Sequence, residues 1–97
     1  MKQKLDDNVV IKEHRECDGY SYTYELILRE GSSTVDWKLP LYSIRVSMSD
    51  TDGNQSQRTA KDVFTDKRKA ERLFRRLVKH LATPIDLGYV IEDEVIN

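Results

Sequence analysis

Residues 65–81 read TDKRKAERLFRRLVKHL. Ala70, Leu73, Phe74, Leu77, Val78 and Leu81 recur at steps of three and four, the spacing of one buried helical stripe. Arg68, Arg72, Arg75, Arg76 and Lys79 gather on the opposite side of the same helical wheel. The stretch therefore predicts a helix with an apolar inner face and a strongly basic outer one. Thr65 or Asp66 can cap its first turn. Such a helix needs an apolar layer to lie on, and the residues before it supply one.

Upstream, Tyr22, Tyr24, Leu26 and Leu28 alternate with polar residues, the period of a strand with one buried face. Ile27 is the apolar exception on the other parity, so the second face is expected to be partly covered. Tyr42, Ile44, Val46 and Met48 repeat the pattern against Ser43, Arg45 and Ser47. Trp37, Leu39 and Leu41 sit on the opposite parity, and Pro40, which lacks an N–H for the ladder, marks a bulge or a strand start between them. Residues 50–54, Asp-Thr-Asp-Gly-Asn, form a hairpin turn. Residues 55–61 follow as a polar edge strand, with Val63 and Phe64 delivering the chain to the helix. Val9, Val10 and Ile11 can open a further short strand, and residues 1–7 are expected to fray.

Downstream of the basic helix, Thr83 as N-cap, Pro84 at the first helical position and Asp86 three residues after the cap announce a second helix. Leu87, Val90, Ile91 and Val95 form one stripe of it; Ile85, Tyr89 and Ile96 form another. Gly88 costs a helix about 1 kcal/mol relative to alanine and hints at close backbone packing. The expected fold is α+β: an antiparallel meander of three or four strands over residues 20–62, with a helical hairpin over residues 65–95 packed on one face.

Ninety-seven residues make one small domain, and a hydrophobic fraction of 38% against 34% charged leaves a thin core. A second copy or a protein partner is a natural complement to such a core. The net charge of −1 hides segregation. Residues 67–79 hold seven bases and one acid, Glu71, whereas residues 86–97 hold four acids and no base. No apolar run approaches the ~20 residues of a membrane span, and the N-terminus lacks the apolar stretch of a secretory signal. A single cysteine, Cys17, fits a reducing cytoplasm.

Tyr42-Ser43-Ile44-Arg45-Val46, Phe64-Thr65-Asp66-Lys67, Pro84-Ile85-Asp86-Leu87 and Val90-Ile91-Glu92-Asp93 together resemble a family of small bacterial proteins, found chiefly in Firmicutes and classed as a domain of unknown function. The resemblance spans about the last sixty residues. A histidine often stands in that family where Asp86 stands here. The resemblance implies a compact bacterial cytosolic domain and carries no chemistry with it.

Candidate sites can be weighed one by one. Arg68 to Lys79 span about 16 Å of helix, enough to meet several phosphates of a nucleic acid. The bland reading is a solvated face. No nucleic-acid-binding signature accompanies the ridge. Lys67, Arg68 and Lys69 could instead meet Glu92, Asp93 and Glu94 across the hairpin, where each cluster would relieve the other's unfavourable helix dipole. That leaves Arg72, Arg75, Arg76 and Lys79 for an acidic partner. Ile85 and Tyr89 face either another molecule or, if the second helix lies between sheet and first helix, the core.

His14 and Cys17 lie on opposite faces of an extended strand, and a zinc site wants four ligands. Asp50, Asp52 and Asn54 mimic a calcium loop, but Gln55 stands at its glycine and Lys61 at its bidentate glutamate. No nucleophile motif is evident. The expectation is a non-catalytic interaction module without metal or small-molecule cofactor, binding a protein partner or a second copy through Arg68, Arg72, Arg75, Arg76, Lys79, Ile85 and Tyr89. Nucleic-acid binding through the basic ridge is the rival.

Overall fold

A computed structural model describes the backbone of residues 8–30 and 40–96, and all of their side chains except Asn8, Glu30 and residues 93–96. The fraying expected at residues 1–7, the parity expected of Trp37 and Leu39, and the side chains of Asp93, Glu94, Val95 and Ile96 lie outside what is described. Four strands, β1 (Asn8–Cys17), β2 (Tyr20–Glu30), β3 (Pro40–Ser49) and β4 (Gln55–Phe64), precede two helices, α1 (Lys67–Lys79) and α2 (Pro84–Ile96). The strands form one antiparallel sheet in chain order. The expected α+β meander with two helices on one face is the fold observed.

The sheet is longer at its start than the sequence suggests. Val9-Val10-Ile11, which could open a further short strand beside the sheet expected over residues 20–62, lies in a ten-residue strand of that sheet. Its register slips between Val9 and Ile11, a bulge that puts Val10 out of step. The hairpins use left-handed residues: Asp18 at φ 53° and Gly19 at φ 85°, then Gly53 at φ 88°. Asp50 ties the second of these turns together. Its carboxylate accepts from the Asp52 and Asn54 N–H groups at 2.9 Å and from Asn54 Nδ2 at 3.0 Å. Those bonds hold the Asp50 carboxyl below the usual range, the Asn54 side chain being the largest cause.

Alternation decides which face meets the helices. Tyr24, Leu26, Tyr42, Ile44 and Val46 point to one side and are buried against Ala70, Leu73, Phe74, Leu77, Val78, Ala82 and Leu87. α1 lies over β2 and β3, and α2 over β4 and β3. Neither helix makes its main contacts with β1. The Asp66 cap and the inward stripe of α1 are as expected, Oδ1 accepting from Arg68 N–H at 2.9 Å.

On the far face, Ile27 is only 3% exposed, so the apolar residue on the polar parity of β2 is indeed covered. Ser43 is buried beside it. Its hydroxyl accepts from the Asp62 N–H at 2.8 Å, and Arg29 Nη1 donates to both Asp62 carboxylate oxygens at 2.9 and 3.1 Å. Asp62 has φ 55° in a second register slip, between β3 and β4. The remainder of that face is a set of transverse polar rows. One runs Lys12, Glu25, Arg45, Thr59; the next runs His14, Thr23, Ser47, Gln57.

Candidate functional site

α1 ends in a Schellman motif. The Ala82 N–H donates to Leu77 O at 3.0 Å and the Leu81 N–H to Val78 O at 3.2 Å, with Leu81 left-handed at φ 52°. Leucine is an unusual occupant of that position, since its Cβ crowds the backbone there. Two residues later α2 starts in a capping box: Thr83 N–H donates to Asp86 Oδ2 at 3.0 Å, and Asp86 N–H to Thr83 Oγ1 at 3.2 Å. The joint between the helices is therefore tied at both ends. It is also pinned from below, because the buried Tyr24 hydroxyl donates to Ala82 O at 2.9 Å. Burial, with a smaller contribution from Tyr22, pushes that phenol up to about 12.

This joint sets the walls of a cleft of about 260 Å³ lined by Arg76, Leu77, His80, Ala82, Asp86, Tyr89 and Val90. Arg76 comes from the basic helix and Tyr89 from the second stripe of α2, so two residues named from separate patterns meet at one site. Ile85, one turn before Tyr89, is 67% exposed and Tyr89 is 70% exposed. The alternative in which α2 lies between sheet and α1 and hides both its stripes is thus excluded. Leu87 takes the buried position instead, with Val90 and Ile91 partly covered.

Arg68, Arg72, Arg75 and Lys79 are exposed on the outer side of α1. Among the described residues, no ion pair engages any of these four. Glu92 is exposed and pairs with none of Lys67, Arg68 and Lys69; the other two acids of that predicted cluster fall outside the described side chains. The cross-hairpin neutralisation does not form at Glu92. His80 and Asp86 were not singled out for this cleft by sequence. Their signal was local, the C-cap of one helix and the capping box of the next, and only the joint's geometry brings them to the rim of a common cleft.

Gly88 packs closely, although not against backbone. A Cβ there would stand 2.9 Å from Arg58 Nη1, the flexible tip of a β4 side chain. Cys17 is half-buried, and the adjacent Asp18 carboxylate, then desolvation, raises its thiol above the ordinary value. That is the reverse of what activates a nucleophile. His14 points to the polar rows and Cys17 to the helix side, as the strand spacing requires. Among the described residues, no group of three or more His, Cys, Asp and Glu side chains could hold a metal ion. No helix among them is long and apolar enough to cross a membrane.

No curated protein and no solved structure matches the chain. A family model does, over residues 6–97, which extends the likeness from the C-terminal part through β1 and the whole sheet. The chain belongs to that family, described as a family of unknown function (DUF6514).

Proposed function

We propose that the chain is a non-catalytic cytoplasmic interaction module whose basic α1 face and α1–α2 cleft receive an acidic, amphipathic segment of a protein partner. The observation that carries this reading is the shared cleft of Arg76 and Tyr89, with the ion-pair-free Arg72, Arg75 and Lys79 beside it and Ile85 one turn away. An aromatic anchor next to arginines is the composition of an interface hot spot. The cations would steer an acidic segment, and Tyr89 would supply the desolvated contact. A free, half-buried Cys17 suits a reducing compartment.

A nuclease-treated pulldown from native lysate tests the proposal with three baits: the wild type, Arg68, Arg72, Arg75 and Lys79 all replaced by Glu, and Tyr89→Ser. The expected outcome is a protein retained by the wild type and lost by both variants. Retention by all three baits refutes the site. If only nucleic acid is retained, and the charge reversal releases it with a steep salt dependence, the basic ridge serves the rival purpose. The uniform positive sign along the α1 face is what favours that second reading.

A further inference from the structure

β1 and β4 are the edges of the sheet, and each presents outward N–H and C=O groups with no ladder partner among the described strands. Edge strands usually blunt this surface with charge. β4 does so with Arg58 and Lys61 over residues 55–61, its one acid, Asp62, being bound by Arg29. A second copy of β4 would be repelled. β1 is charged as well, but its signs alternate in a particular order, Lys12, Glu13, His14, Arg15, Glu16.

An antiparallel pairing of β1 with itself about His14 is self-complementary. Lys12 stands opposite the partner's Glu16 and Glu13 opposite the partner's Arg15, each twice by symmetry. His14 meets its own copy at the axis. The two kinds of pair fall on opposite faces of the strand, Lys12 and Glu16 with the polar rows, Glu13 and Arg15 with the helix side. The smallest register shift that keeps both faces sets either Glu13 against its own copy or Arg15 against its own copy. One register alone avoids like charges in these positions.

Two further features of the same strand fit this pairing. Val9 and Val10 are 49% and 40% exposed at one end of β1, and Tyr20, opposite Cys17 at the other end, is 41% exposed. Antiparallel pairing brings the first end to the partner's second, so that Ile11 lies across from the partner's Cys17, with Val10 and Val9 coming to the partner's turn at Asp18 and Gly19. The helices leave the strand accessible, since they pack over β2, β3 and β4. Within one copy, Arg15 Nη1 lies 3.1 Å from Glu13 Oε1, and His14 Nε2 3.3 Å from Glu16 Oε2.

We propose that two copies of this chain join through β1 in that register, continuing the sheet to eight strands with all four helices on one side. This surface is separate from the α1–α2 cleft, and neither reading depends on the other. Analytical ultracentrifugation of the full chain over a micromolar range tests it, with circular dichroism confirming that each variant is folded. The wild type is expected to dimerise. Glu16→Lys, which places Lys12 against lysine twice, should raise the dissociation constant about tenfold or more. The exchanged double variant, Lys12→Glu with Glu16→Lys, should restore the wild-type constant. Tyr89→Ser should leave it unchanged. A wild type that stays monomeric overturns the proposal. So does a dimer insensitive to Glu16→Lys, a failure of the double variant to recover, or a dimer lost with Tyr89→Ser.

Discussion

Tyr24 does two jobs with one side chain. Its ring is fully buried in the core beside Tyr22, the two rings lying near parallel with centroids 6.4 Å apart, and its hydroxyl holds the joint between the helices. Replacing it by phenylalanine keeps the ring and strands the Ala82 carbonyl. The expected cost is about 1–2 kcal/mol in denaturant unfolding at neutral pH. Burial of the same hydroxyl sets an alkaline limit. Folding pushes the phenol from its ordinary 10.0 up to about 12, so the neutral form is favoured in the folded state. That contribution is whole below pH 10 and declines as the pH rises toward 12, by roughly 2–3 kcal/mol in total. Unfolding midpoints measured across this window should fall more steeply for the wild type than for Tyr24→Phe. Parallel curves would mean that the phenol is not the titrating group. None of this is visible in the sequence, where Tyr24 is one of several tyrosines on a buried parity. The 58-residue separation between Tyr24 and Ala82 leaves no local trace.

Elements differ in how openly their residues declare them, and the reason is how many faces each buries. α1 was legible to within a turn because one face is buried and the other wet, the condition that writes a helical period. The start of α2 was legible from the Thr83 and Asp86 capping box. β2 and β3 declared themselves by alternation. β1 did not: residues 12–16 are charged on both parities because no helix makes its main contact with that strand, so nothing selects for an apolar side. The α1–α2 cleft was half legible, its two anchoring residues readable and their meeting not. Gly88 tests the packing of α2 on β4. Alanine there gains helix propensity of about 1 kcal/mol, and the contact it creates is with the mobile end of Arg58. The expected result for Gly88→Ala is a net gain of about 0.5 kcal/mol with Arg58 displaced, read from thermal unfolding and the Arg58 side-chain resonances. A loss of stability would show that the Arg58 guanidinium is fixed in place under the helix.

Among the described residues one apolar cluster forms the core, and it lies in one layer between sheet and helices. Phe74 is central to it, fully buried on α1 and clustered with side chains from both inner strands and with Leu87 of α2. Neither half of that sandwich holds without the other. A thirteen-residue helix falls in the range where isolated helices are marginal in water. The sheet, stripped of its cover, would expose Tyr24, Leu26, Ile44 and Val46 together. Sheet and helices should therefore melt as one unit. Phe74→Ala removes most of an aromatic side chain from the centre, a change that costs about 3–5 kcal/mol in well-packed cores. Against the 5–15 kcal/mol typical of whole domains, that is a large share of the total stability. The loss should appear at one common midpoint in far-ultraviolet circular dichroism, which follows the helices, and in near-ultraviolet dichroism, which follows the tyrosines of the sheet. Thr23→Ala, on the polar rows of the opposite face, should shift the same midpoint by less than about 0.5 kcal/mol. Two separate midpoints for Phe74→Ala would mean that the sheet has a second source of stability on its far face, around Ile27 and the Arg29–Asp62–Ser43 network, independent of the helices.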